Sequence, residues 1–268
     1  RSGVIDFFGV RSSSLTGVPN KILDVRNLNP ADGSTLLFTA DFNSVNAYDP
    51  VSAQLTIGNA LGDDMLNVTM FHTANGDGGM LGGAFAPSTA ITRTWYGIPP
   101  AKLVTGDVHA SVIFASPAVT STSEQRYHFQ FTTAVQNLSP VLGARLPTQT
   151  VSAATSSGYR RVRVQGTLPA EYSDLVVVEY GPSGGGNEVL LFATGGYLAA
   201  TGSATAYDLT TPDVGALPGF PVASAPAAGE WEVLVSANGW SGLGTVSPVP
   251  ANGATLLGAT KQVKITMP

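Results

Sequence analysis

Cysteine is absent from this 268-residue chain, which excludes disulfide staples, thiolate metal sites, thiol nucleophiles and iron–sulfur ligation together. Charge is scarce as well. Asp, Glu, Lys and Arg make up 12%, about half of the ~25% usual in soluble globular domains. With four lysines and a net charge of −5, the chain lacks the basic footprint that a phosphate backbone or an anionic membrane surface requires. Nucleic acid is thereby set aside as a partner. Long apolar runs are missing too: Leu175 to Val178 and Val189 to Ala193 are the longest, far short of the ~20 residues of a membrane-spanning helix.

What is present suffices for a sizeable core, since hydrophobic residues make up 43% and mean hydropathy is +0.17. The surface must then be carried by Ser, Thr, Asn, Gln and Gly. A surface poor in long charged side chains, in a chain free of cysteine, points to a prokaryotic protein working outside the cell or at its surface, the periplasm included. The start at Arg1, with neither a charged nor an apolar leader behind it, fits a mature chain processed after export.

The 31 glycines and 18 prolines are spread throughout and interrupt every helical apolar stripe. Alternation over five to eight residues between turn clusters recurs instead, the pattern of half-buried antiparallel strands. It predicts strands at Thr35 to Phe42, Ala53 to Ile57, Leu66 to Phe71, Val108 to Ala115 and Tyr127 to Thr133. Further on it predicts Tyr159 to Gln165, Leu175 to Tyr180, Val189 to Phe192, Trp231 to Ala237 and Gln262 to Met267. In the Tyr159 strand, Arg161 and Arg163 fall on one face and Val162 and Val164 on the other, so the arginines mark a solvated face.

The fold expected is all-β: two tandem antiparallel β-sandwiches of immunoglobulin-like or fibronectin-like architecture, with about seven strands each. A single large barrel or jelly roll is the alternative. Two prolines interrupt the pattern between Asn137 and Thr150. The boundaries expected are residues 1–140 for the first sandwich, 141–150 for a short, partly packed linker and 151–268 for the second. An echo between Gly106–Phe114 and Gly229–Ala237, in which Val108, Ala110 and Val112 align with Trp231, Val233 and Val235, is compatible with a duplication.

Gly181-Pro-Ser-Gly-Gly185 matches a nucleophile-elbow pattern formally, but a strand follows Ser183 where that motif needs a helix, and all three histidines precede it. The order His72, Asp107, Ser183 is that of chymotrypsin-like proteases. Neither Met-Phe-His72 nor Pro182-Ser183 carries the local residues of that family, so a hairpin turn explains the segment better. His72, His109 and His128 lack metal-ligand spacing and are expected to face solvent or a rim. Glu230 and Glu232 share a strand face, ordinary for a solvated sheet, although a carboxylate pair is what a glycosidase uses.

Three features point to ligands or partners. Asp63, Asp64, Asn75 and Asp77 supply hard oxygens beside glycines, as a calcium site wants, although Asn75-Gly76 and Asp77-Gly78 are also tight-turn dipeptides. Trp240, in Asn238-Gly-Trp-Ser-Gly242, reads as an aromatic platform in a turn on which a sugar ring could stack. The apolar start Val4 to Val10, with Ile5, Phe7 and Phe8, needs a sheet to dock into, its own or that of a neighbouring subunit. The glycan-acceptor patterns Asn67-Val-Thr69 and Asn137-Leu-Ser139 carry little weight, the first lying inside a strand. No other cofactor is indicated. The function expected is a non-catalytic extracellular structural or interaction protein, a surface, fibre or accessory subunit with protein partners that include further copies of itself. A carbohydrate-binding module or lectin-like accessory is the alternative, and a serine or carboxylate hydrolase stands third.

Overall fold

A computed structural model describes residues 4–31, 39–86, 91–117, 123–156, 159–185, 188–203, 205–219, 227–243 and 250–268. Among them the chain forms sixteen strands. These are β1 (Ile5–Ser12), β2 (Pro19–Leu28), β3 (Ala47–Tyr48), β4 (Val51–Thr56), β5 (Asp64–His72), β6 (Gly78–Ala86), β7 (Thr92–Gly97), β8 (Val108–Ser116) and β9 (Glu124–Thr132). There follow β10 (Thr150–Ser156), β11 (Tyr159–Thr167), β12 (Leu175–Pro182), β13 (Val189–Thr194), the short helix α1 (Gly195–Ala200), β14 (Ala206–Thr210), β15 (Gly229–Ser241) and β16 (Thr255–Met267). The protein is all-β; β1 with β2, β2 with β3, β4 with β7, β5 with β6, β10 with β11, β11 with β14, and β12 with both β13 and β15 pair antiparallel, and local parallel bridges occur at Leu55–Leu138 and Gly58–Val141. Of the expected strand Thr35 to Phe42, residues 35–38 lie outside the described residues, and 39–42 are not strand.

Two compact units are present. Unit 1 comprises Arg1–Ala115, Tyr127–Leu142 and Ser241–Leu256; unit 2 comprises Ser116–Arg126, Gly143–Trp240 and Leu257–Pro268. The segment 141–150 divides between them, with Leu142 buried in the core of unit 1 and Leu146 in that of unit 2.

Unit 2 is a two-layer sandwich in which β10-β11-β14 faces β13-β12-β15-β16. Period-2 alternation puts Val162 and Val164 of β11, Leu209 of β14, Val176 and Val178 of β12, and Trp231, Val233 and Val235 of β15 into one continuous core. Two large buried side chains of this core pair their polar ends. The Tyr180 hydroxyl lies 2.6 Å from Thr211 Oγ1, and Trp231 Nε1 donates to the Ala227 carbonyl at 2.9 Å.

Unit 1 is built from three sheets, β9-β8-β5-β6, β1-β2-β3 and β4-β7. One face of β8 puts Ile113 and Ala115 against Leu55 and Trp95. The other face packs Val108, Ala110 and Val112 against Phe131 and Ala254. β8 is therefore buried on both sides, which corrects the expectation for two of the histidines. His109 is fully enclosed, its ring 5.2 Å from Phe71 and 5.8 Å from Trp95, and His128 is buried on β9. His72 is half-buried. Alternation fixed the face of β8 on which His109 lies, that of Ile113 and Ala115, but not that Phe71 and Trp95 would cover it.

Candidate functional site

The residues expected to bind calcium separate into two pairs. Asp63 and Asp64 stand where β5 begins, whereas Asn75 and Asp77 lie in the turn beyond its other end. Nine residues of strand at about 3.3 Å each hold the pairs apart. Asn75 and Asp77 clasp the first strand instead: Asp77 Oδ2 accepts from the Asp6 N–H at 2.8 Å, and Asn75 Nδ2 donates to the Asp6 carboxylate at 3.2 Å. β1 pairs with β2 of the same chain, with Ile5 opposite Leu28, Phe7 opposite Val25 and Phe8 opposite Asp24. Phe8 stacks on Phe71 at 5.5 Å.

A buried ionic network ties these elements together. Arg26 makes a bidentate pair with Asp107 at 2.9 Å for each bond, meets Asp24 at 2.6 Å, approaches Asp6 at 3.8 Å and lies over the Phe71 ring at 5.5 Å. Asp107 also accepts the N–H groups of Ala74 and Val104. Burial raises the Asp24 carboxyl above its ordinary range against the pull of Arg26, while the Arg26 guanidinium is held more firmly protonated by its carboxylates despite burial. Asp107 is thus engaged as the anchor of an arginine. Ser183 sits in the β12–β13 turn and donates to the Glu230 carbonyl at 3.2 Å. Glu230 and Glu232 both meet Lys264, at 3.0 and 3.4 Å.

Trp240 is not in a turn, and the expectation is corrected: β15 continues to Ser241. Gly239 allows this, because a Cβ there would lie 1.8 Å from the Glu171 carbonyl oxygen. The strand thus passes against the loop that precedes β12, and the Trp240 N–H reaches Asp174 Oδ2 at 2.8 Å. The indole remains 44% exposed. Asn67 is buried, and the Asn137 side chain accepts from the Gln54 N–H at 2.9 Å.

The two outer faces of unit 2 differ in chemistry. Outside β11 and β14, Arg163 and Gln165 converge on Asp208, and Arg161 reaches the Thr211 carbonyl. That is the solvated face expected of the arginine pair. Outside β13, β12 and β15, register aligns Phe192 with Val177 and Ser236, and Leu190 with Glu179 and Leu234. Phe192 is 62% exposed and Leu190 51%, and Tyr197, on α1 just past β13, is exposed with them. Thr194 caps α1 by accepting the Tyr197 N–H. Sequence reasoning missed this face. Its signal was Val189-Leu-Leu-Phe192, where apolar residues occupy both parities of a strand, so that one face must present them outward.

No family model matches the chain, and no curated protein matches it. Among solved structures it is similar to a segment of two fibronectin type-III domains from chicken tenascin, at 12% identity over 76% of this chain and 83% of that one, with a TM-score of 0.25.

Proposed function

We propose that this chain is a non-catalytic structural and interaction protein, displayed outside the cell or at its surface, that assembles with further copies of itself through the outer face of β13, β12 and β15. The observation that carries the reading is the contrast within one sandwich: a charged outer face on β11 and β14, and on β13 and β12 an outer face where Leu190, Phe192 and Val177 flank the single carboxylate Glu179. A solvated antiparallel sheet normally alternates apolar-in and polar-out, and outward Leu and Phe on neighbouring positions mark a surface that another protein covers. β13 also ends its sheet among the described residues, so its outer backbone groups are open to strand addition. Two copies meeting there about a two-fold axis would bury the same residues on each side.

Sedimentation velocity over a concentration series tests this. Self-association is expected in the parent, and Leu190→Lys with Phe192→Lys is expected to weaken it more than tenfold while thermal stability holds, because both side chains already face solvent. Burying one such side chain fully contributes about 1.5–3 kcal/mol, so two charged replacements suffice. A parent that stays monomeric at every concentration, or a double variant that associates like the parent, overturns the reading.

A further inference from the structure

In unit 1, one face of β5 carries Met65, Asn67, Thr69 and Phe71 in succession, all buried. Met65 belongs to the apolar cluster around Leu55 and Trp95, and Phe71 to that around Ile22, Leu81 and Ile98. Between the two clusters the interior is polar. Asn67 and Thr69 are each 3% exposed, and buried Ser111 joins them from β8. β6 supplies little to fill the space: its register sets Gly82 opposite Thr69 and Ala84 opposite Asn67, where a filled sandwich would carry Val or Leu. A cavity of about 290 Å³ results, walled by Trp95 and Tyr96 of β7 and rimmed by the exposed turn Thr16–Val18.

The polar groups in this cavity are not consumed by the fold. Asn67 Nδ2 donates to the Val112 carbonyl at 3.2 Å and lies 3.5 Å from Ser111 Oγ. Its Oδ1 and the Thr69 hydroxyl have no protein partner among the described residues. Facing the cavity, these groups are available to a solute, and a polar void of this size holds water or a ligand. The volume lies at the small end of ligand pockets, which suits a single ring. Among the described residues no charged side chain lines it, which suits a neutral ligand. Hydroxyls would meet Asn67 Oδ1 and Thr69, while Tyr96, Val18 and Pro19 offer apolar surface to C–H faces.

We infer that this cavity binds a neutral, hydroxyl-rich single-ring molecule, a monosaccharide either free or at the end of a glycan. The inference is independent of the self-association proposed for unit 2. Two arms test it on the full chain: titration of methyl pyranosides of the common neutral hexoses and N-acetylhexosamines, followed by amide chemical shifts, and an array of immobilised oligosaccharides. Shifts are expected in residues 67–69, 82–84 and 94–96. Gly82→Val is expected to abolish binding yet fold, since a Cβ there would meet Pro19 at ordinary contact distances of 3.6 and 3.9 Å. Thr69→Val is expected to weaken binding about tenfold, the worth of one hydrogen bond, with an unchanged or higher Tm. Shifts with the methyl pyranosides identify free sugar as sufficient; binding on the array alone identifies the glycan end. Silence in both arms, shifts confined to other residues, or undiminished binding by Gly82→Val overturns the inference.

Discussion

The two enclosed histidines predict a specific acid lability. Burial pushes His109 down to about 4 and His128 down to about 4, while the Thr132 backbone and the Asp107 charge, for the first, and the Val141 backbone, for the second, pull only partly the other way. His109 stays neutral in the fold because its Nε2 accepts the Ile98 N–H at 2.9 Å. In the unfolded chain each imidazole takes up its proton near pH 6.5, but the folded chain does not until about 4. Stability is therefore complete above pH 6.5 and falls as pH drops towards 4. Each histidine contributes a slope of about 1.4 kcal/mol per pH unit within that window and a loss of about 3 kcal/mol in all. Half-buried His72, lowered by burial, adds in the same direction. Asp24, raised by burial, regains some stability as the pH falls through the carboxylate range, at the foot of the window. Urea denaturation at a series of pH values between 8 and 4 should show a loss of several kcal/mol, a large part of the ~5–15 kcal/mol typical of a domain. The double variant His109→Gln/His128→Leu should flatten the curve. A flat curve in the parent, or imidazole proton resonances of the folded protein that titrate near 6.5, would refute the reasoning.

Asp107→Ala should cost about 3–5 kcal/mol in urea denaturation, because Arg26 is left buried without its bidentate partner; a loss under 1 kcal/mol would show that the network is slack. Gly239→Ala should lower stability by about 1–3 kcal/mol or more, since its Cβ meets a backbone carbonyl oxygen that cannot rotate away, and an unchanged Tm would contradict the close approach at Glu171. Removing residues 1–10 takes away most of β1, including the Phe8 ring against Phe71, so the melting temperature should fall by several degrees, whereas a truncated chain that melts like the parent would show that Ile5, Phe7 and Phe8 do not serve the fold.

Strands were legible where apolar residues alternate cleanly. Tyr159 to Gln165 and Trp231 to Ala237 declare their inner faces through Val162, Val164, Trp231, Val233 and Val235, and those side chains form the core of unit 2. β6 was not legible, because Gly78-Gly-Met-Leu-Gly-Gly-Ala84 has no period that separates strand from loop. β2 was hidden by Pro19 at its start and by the adjacent buried pair Ile22 and Leu23, which breaks strict alternation. The ligand features fared according to how local they are. The dipeptides Asn75-Gly76 and Asp77-Gly78 announce a turn locally, but the clasp of Asn75 and Asp77 on Asp6 joins positions about seventy apart in sequence. Trp240 looked like a turn residue because Gly239 and Gly242 flank it; the first of these serves a backbone contact with Glu171 that no local pattern reports.

Unit 2 fills its interior and leaves Leu190 and Phe192 outside; unit 1 buries Asn67 and Thr69 and opposes them with Gly82 and Ala84. Each arrangement breaks the patterning that a stable sandwich needs, and breaks it at neighbouring positions that an apolar residue in unit 1, or a polar one in unit 2, would mend. Thr69→Val would remove an unpaired hydroxyl from the core, and Phe192→Lys would remove an exposed ring, so neither residue is required for folding. Departures of this kind are where local consistency gives way to function. The two departures also differ in kind: a void with polar walls suits a small solute, and an apolar face beside an open strand edge suits another sheet. It follows that the chain should behave as a scaffold with two separable surfaces, so that Phe192→Lys leaves sugar titration unchanged and Gly82→Val leaves self-association unchanged. A variant that abolished both would mean that one of the two surfaces acts through the other.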